Sequence, residues 1–296
     1  MKNRLLILVA LAGLLLLVMP AAAQAAVPTW APVSTATIRP GAATLTGDAI
    51  CTSNFVFHDS AGNVYLGQAA HCSSNDDAGS LDGCRNNSLP LGTPVRVAGA
   101  SRPATLAYNS WIAMDERQEA DINQCHHNDF ALVKLHPADY GLVNPTLRFA
   151  GGPTGVVPNV MDDSRVFGFG SAITDTGIQP QPKSGTSLQQ GAGGLGHVVR
   201  LDPPGISGDS GSGLVDEQGR AFGVLSTYSP RRQINGAGNL SRMLDYMRGS
   251  GFSDVTLANG TEPFIAPPAP AQDPLTGLLD DLLGGLLGPL GLLPTR

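Results

Sequence analysis

From Pro40 to about Ser253 the chain is broken every few residues by glycine, proline, asparagine or aspartate, and the stretches between are short and apolar. An ordinary helix needs about eleven uninterrupted residues and a strand about five, so this punctuation admits little besides strands joined by tight turns. "NFVFHDSAGNVYLG" reads as a hairpin turning over Ser60 to Asn63, and "SGLVDEQGRAFGVLSTYS" as a second one turning at Gln218-Gly219. "TPVRVAG", "DFALVKL", "SRVFGFG" and "HVVRLD" are strand-like as well. Many short strands without regular intervening helices favour a sandwich or a barrel over an alternating strand-helix fold. One helix closes this body: "NLSRMLDYMRGSG" sets Leu240, Met243, Leu244 and Met247 at helical spacing, with Asn239 as cap and Gly249 as stop. With 42% hydrophobic residues in 296, the chain can bury one large core or two smaller ones in contact.

The two ends differ from the body. Lys2 and Arg4, an apolar run from Leu5 to Met19 and the alanines that follow read as a secretory signal over 1–26, cut near Ala25 or Ala26. The run is short for a membrane span, and the absence of a cysteine at the cut argues against a lipid anchor. The formal charge of −6 becomes −8 once Lys2 and Arg4 leave, which argues against nucleic acid or an anionic membrane surface as a partner. At the other end, 254–272 reads as an extended, proline-rich linker, and 273–296 as a leucine- and glycine-rich tail with amphipathic helical spacing. Asp273 and Pro274 would start that helix and Pro289 would end it. Its three interior glycines cost roughly 3 kcal/mol relative to alanine, and burying its seven leucines would return on the order of 10 kcal/mol, so it should fold when docked. It would pack on its own domain or stay flexible, or else dock on a protein partner, a second copy or the cell envelope.

The chemistry centres on "PGISGDSGSGL", residues 204–214, where glycines surround an Asp-Ser pair. Glycine permits backbone turns and close approaches that other residues resist, and a nucleophilic serine at a sharp turn needs both. A serine hydroxyl is a weak nucleophile at neutral pH, so it also needs a base, usually histidine, and an acid to orient that base. His71 in "GQAAHC" follows a predicted strand and precedes Cys72. Asp129 in "HHNDFALVKL" opens a strongly apolar strand, where a carboxylate must be paired. Four cysteines in the exported part allow three disulfide pairings. A Cys51–Cys72 bond would close a loop of about 20 residues, stabilise by roughly 3 kcal/mol, and hold His71 in place.

"AAHC", "NDFALVKL" and "GDSGSG", in the order His, Asp, Ser and about 60 and about 80 residues apart, resemble the trypsin/chymotrypsin-like serine proteases, in particular their secreted bacterial members. The resemblance covers about 37–249 and implies an all-β fold of two packed antiparallel six-stranded barrels with a C-terminal helix. The protease domain would span 27–253, with the first barrel at about 37–150 and the second at about 160–253. It implies His71 as general base and acid, Asp129 as its orienting partner, Ser210 as nucleophile, and the N–H groups of Gly208 and Ser210 as the oxyanion hole. Pro204, Ser207, Ser226, Thr227 and Tyr228 would line the substrate site, Ser226 lying near Asp129 and Thr227–Tyr228 pairing with an extended peptide. With Cys51 joined to Cys72, Cys84 and Cys125 are left to each other. The implied activity is that of a secreted, extracellular endopeptidase acting on polypeptides, without cofactor or metal. A catalytically silent binding or adhesion protein on the same fold, using the leucine tail, is the alternative.

Three departures from the family bear on function. Pro204 stands six residues before the serine, where relatives that cut after Arg or Lys carry an aspartate, so small or medium apolar side chains are expected there, with Tyr228 narrowing the site. No Ile-Val-Gly-Gly segment is present to supply a new amino terminus for Asp209, and Arg165 is the expected substitute. Ser212 replaces a more usual glycine. His126 and His127 lack a third ligand at metal spacing, and "NDDAGSLDG" lacks ordered calcium-loop spacing.

Overall fold

A computed structural model of the chain describes residues 28–75, 82–85 and 87–268. The signal expected over 1–26, the helix expected over 273–296 and most of "NDDAGSLDG" lie outside the described residues.

The first half builds β1 (Ala43–Thr46), β2 (Ala49–Thr52), β3 (Val56–His58), β4 (Val64–Gln68), β5 (Pro94–Val97) and β6 (Ala104–Asn109), then two short helices, α1 (Ser110–Glu116) and α2 (Ile122–His127), and β7 (Ala131–Lys134). Ladders run β3-β4-β7-β6-β5-β1-β2, all antiparallel. The ends of this sheet are joined by the chain itself. Ser53 exchanges hydrogen bonds with Gly41 and Ala42 beside β1, and the next residues, Asn54 and Phe55, bond to Gly67 on β4. β2 and β3 are thus two halves of one bent strand, and six staves close a barrel. Its core holds Val56, Val64, Leu66, Leu106, Val133 and Ile38, each at most 1% exposed. The first hairpin turns where the sequence places it, with Asp59 accepting from the N–H groups of Ala61 and Asn63.

The second half contains β8 (Gly155–Val156), β9 (Arg165–Thr174), β10 (Gly177–Gly191), β11 (Gly196–Asp202), β12 (Gly213–Val215), β13 (Arg220–Ser229), β14 (Ile234–Asn239) and α3 (Leu240–Arg248). The order β12-β9-β10-β11-β14-β13 is closed by pairing of β12 with β13, giving a second six-stranded antiparallel barrel. Gly219, at φ +74°, makes the expected hairpin turn. α3 buries the four apolar residues its spacing predicts and is capped by Asn239, whose side chain accepts from the Arg242 N–H.

Inward positions of β11 are His197, Val199 and Leu201, since side chains alternate along a strand. His197 is 2% exposed, sits edge-on to Phe222, and neither ring nitrogen has a hydrogen-bond partner among the described residues. Burial disfavours its charged form and pushes its pKa down to about 4. An unfolded imidazole binds a proton near pH 6.5, so unfolding takes up a proton between these values, and stability falls as pH drops through that window. The expected loss is roughly 3 kcal/mol. His197→Leu should narrow the gap between melting temperatures at pH 7 and pH 4.5, at about 2–4 °C per kcal/mol. An unchanged gap would assign the acid sensitivity to other groups.

The compact unit that holds both barrels ends at Ile265, so 254–265 of the segment read as linker is packed. A last strand, β15 (Thr256–Leu257), adds to β3. Beyond it the chain bonds to the connection between barrels through Thr261 N to Thr146 Oγ1, Gly260 N to Pro153 O and Ile265 N to Ala150 O. Gly260 is required there: a Cβ would lie 2.0 Å from Gly152 O.

Candidate active site

His71 lies in a 3-10 turn, Ala70–Ser73, entered directly from the end of β4. Cys72 in the same turn is bonded to Cys51 on β2, which ties the turn to the barrel wall. Asp129 lies between α2 and β7. Asp121 caps α2 by accepting from the Asn123 N–H, and Cys125 near its end is bonded to Cys84. The two segments meet. Asp129 Oδ1 accepts from the His71 backbone N–H at 2.9 Å, and Oδ2 faces His71 Nδ1 at 2.7 Å.

Ser226 on β13 of the second barrel completes this contact, its hydroxyl donating to Asp129 Oδ2 at 2.5 Å. Asp129 is 2% exposed. Burial alone would raise its carboxyl pKa, but the charge and ring N–H of His71, the Ser226 hydroxyl and the His71 amide together hold it below the usual carboxylate range. For His71 the same forces act in reverse: burial lowers its pKa, and the Asp129 charge and hydrogen bond outweigh burial and leave it raised.

Ser210 sits in the turn between β11 and β12. Its carbonyl accepts from Thr52 N at 2.8 Å, and Thr52 Oγ1 donates to Gly208 O at 2.7 Å while accepting from Ser171 N. Thr52 thus pins the serine turn to the first barrel, a role no local sequence signal marks. Gly211, at φ +89°, has no room for a side chain, because a Cβ would meet Thr52 O at 2.5 Å and Ala69 N at 2.8 Å. Cys72 Sγ lies 4.0 Å from Ser210 O, so the histidine turn and the serine turn abut. No hydrogen bond joins Ser210 Oγ to the His71 ring among the described residues.

The backbone groups of this turn are nearly all engaged. Lys183 Nζ donates to Pro204 O, Asn235 bonds to both Gly205 N and O, Asp209 Oδ2 accepts from Ile206 N, and Ile173 N donates to Ser207 O. Ser212 Oγ donates to Asp209 O at 2.6 Å, so the unusual serine is turned inward and tied down. The N–H groups of Ser207, Gly208 and Ser210 have no acceptor among the described residues; Ser207 is exposed, whereas Gly208 is buried and Ser210 half-buried. Unpaired backbone donors are rare in folded proteins, and two beside one serine make a ready site for a developing oxyanion.

Asp209 is partnered differently from the sequence expectation. Arg165 lies over the Phe167 ring, 4.9 Å from its centroid, and the cation at Asp209 is Lys183 of β10, 2.9 Å from Oδ2 with both side chains fully buried. The hairpin register of β9 and β10 puts Lys183 inward beneath the serine turn, and periodicity alone could not choose between two cations on neighbouring strands. Burial raises the Asp209 carboxyl against the opposing pull of the Ile206 N–H and Lys183. The pair is therefore a fixture of geometry more than a source of stability. Lys183→Met strands a buried carboxylate and should destabilise by about 3–5 kcal/mol. Adding Asp209→Asn should restore most of the melting temperature without restoring an ordered turn, which would show as weak labelling of Ser210. A single variant melting with the native protein would contradict this.

The remaining expected site residues are Thr227, exposed, and Tyr228, half-buried and paired with Asn235 across β13 and β14. Beside them a cavity of about 420 Å³ is lined by His126, His127, His197 and Thr227. Groups of three ligand-type atoms occur, among the described residues, only around the two disulfides, whose sulfurs are already bonded.

Two closed six-stranded barrels, with an Asp-His pair from one abutting a serine turn from the other, define a trypsin/chymotrypsin-like fold. No protein-family model matches the chain, and no curated protein does. Among solved structures it is similar to Thermobifida fusca protease A, at 18% identity over 75% of this chain and 99% of that one, with a TM-score of 0.48. It is also similar to Nocardiopsis protease (19%, 74% and 98%, TM-score 0.44) and to Cellulomonas bogoriensis chymotrypsin (16%, 75% and 99%, TM-score 0.46). These are bacterial chymotrypsin-like serine proteases, the group the three motifs resemble.

Proposed function

We propose that the protein is a secreted serine endopeptidase. The observation that carries this reading is the buried Asp129 paired with His71, 2.7 Å apart, abutting a serine turn whose Gly208 and Ser210 N–H groups have no acceptor among the described residues. Ser210 Oγ attacks the peptide carbonyl carbon and passes its proton to His71 Nε2, while Asp129 holds the ring through Nδ1. The carbonyl oxygen gains negative charge beside these two N–H groups. His71 then gives its proton to the leaving amine, and an acyl-enzyme remains on Ser210. Water repeats the sequence: His71 takes its proton, the ester bond breaks, and Ser210 recovers the proton.

Two features support action without a proteolytic activation step at Arg39. Lys183 supplies from within the chain the cation that Asp209 requires. Arg39, whose guanidinium donates to Thr146 O and Leu147 O, precedes a proline and is tied to the body. The two disulfides suit an oxidising, extracellular setting.

The test is intact mass of the purified protein after exposure to a fluorophosphonate. One adduct is expected, lost in both Ser210→Ala and His71→Ala. A folded protein that takes no adduct would overturn the reading.

A further inference from the structure

The gap that receives the side chain ahead of the scissile bond lies between the turn 204–209 and β13, if Ser210 attacks and Thr227–Tyr228 pair with the substrate. In this protein the gap is already bridged. Asn235, 1% exposed on β14, sends its amide across it: Gly205 N donates to Oδ1 at 3.0 Å, and Nδ2 donates to Gly205 O at 2.8 Å and to Thr227 O at 2.9 Å. One side chain thus holds both walls, using three of the four hydrogen bonds an amide can make. The walls are also close. A Cβ on Gly205 would lie 2.5 Å from Leu225 Cδ2 and 3.0 Å from Asn235 Nδ2. Tyr228 stands directly opposite Asn235 in the β13–β14 ladder, so their side chains share one face of the sheet. The far wall is held in turn from behind, where the buried Lys183, paired with Asp209, donates from Nζ to Pro204 O at 3.1 Å.

We infer that Asn235 is the specificity-determining residue, a crossbar that admits only a small, uncharged side chain, of glycine, alanine or serine size, ahead of the bond cut. The inference rests on the endopeptidase reading and narrows its substrate class. A larger side chain, charged or not, would have to displace the amide and leave Gly205 N–H and C=O without partners. Differences of one methylene already discriminate ten- to about two-hundredfold in enzyme pockets, so a bridged gap should discriminate at least at the upper end.

The experiment compares kcat/KM on fluorogenic peptides identical except for Ala, Val, Leu, Phe, Glu or Arg ahead of the reporter bond. Active enzyme is counted in each sample by fluorophosphonate adduct, so chemistry and specificity are read separately. The native protein should favour Ala over Phe and over Arg by at least about a hundredfold. Asn235→Ala should shrink the Ala-to-Phe ratio at least tenfold per labelled molecule, and Asn235→Ser, which keeps a hydroxyl for Gly205, serves if the alanine variant does not fold. Labelled native protein that cuts after Phe or Arg as fast as after Ala overturns the inference and leaves the endopeptidase reading standing. So does an unchanged ratio in a labelled variant. Native protein that neither labels nor cuts any peptide overturns both.

Discussion

Ser210→Ala should reduce kcat by about a million-fold while leaving the fold intact. Removal of the nucleophile leaves binding and the oxyanion donors, which together retain only a residual 10³–10⁴ over water. The fold should not respond, because Ser210 is held through its carbonyl on Thr52 N, and its hydroxyl makes no hydrogen bond among the described residues. Turnover of a fluorogenic peptide and thermal melting of the same preparation check both halves. A loss of less than about a hundredfold would place the nucleophile elsewhere, since that is no more than a single hydrogen-bonding contact of a half-buried hydroxyl is worth.

The second large effect is expected at Asp129. Asp129→Asn keeps the shape and can still accept from the His71 amide, but it turns an N–H toward His71 Nδ1, where the carboxylate now accepts. The ring is then held with Nδ1 as acceptor and the proton on Nε2, the tautomer that cannot receive the Ser210 proton. A loss of about 10⁴ in kcat follows. The pH profile should move too. On the endopeptidase reading neutral His71 is the active form, and its raised pKa puts the acid limb of the native profile above the ordinary imidazole range. Without the Asp129 charge only the burial that lowers His71 remains, so the limb should move to lower pH. The His71 imidazole resonance followed against pH would report the same shift directly. A limb that stays in place would mean that something other than Asp129 raises the histidine.

Legibility in the sequence followed range. Turn residues encode hairpins within a dozen positions, so the turns after Asp59 and at Gly219 and the buried face of α3 were readable from spacing. The two short helices before β7 were not, because six or seven residues are too few for helical spacing to outweigh the strand-like pattern around them. α1 depends on its Asn109 cap and on burial of Trp111 and Met114.

The site divides in the same way. His71, Asp129 and Ser210 stand out because each is embedded in a short motif whose residues serve local geometry: a cysteine beside the histidine, an apolar strand behind the aspartate, glycines around the serine. Their supporting partners carry no such mark. Thr52 reaches Gly208 across 156 positions, Asn235 reaches Gly205 across 30, and Lys183 replaces Arg165 because barrel closure turns one strand's cation inward and leaves the other over a ring. The sequence by itself determined strand and turn order, the cysteine-bearing frame and the three residues proposed to react, all consequences of local backbone preference and short-range pattern. Barrel closure decided which polar groups were buried together, and with them the partner of Asp209 and the crossbar at Asn235. A buried polar atom takes whatever partner the packed chain brings within about 3 Å, and that distance is fixed only when both barrels have closed.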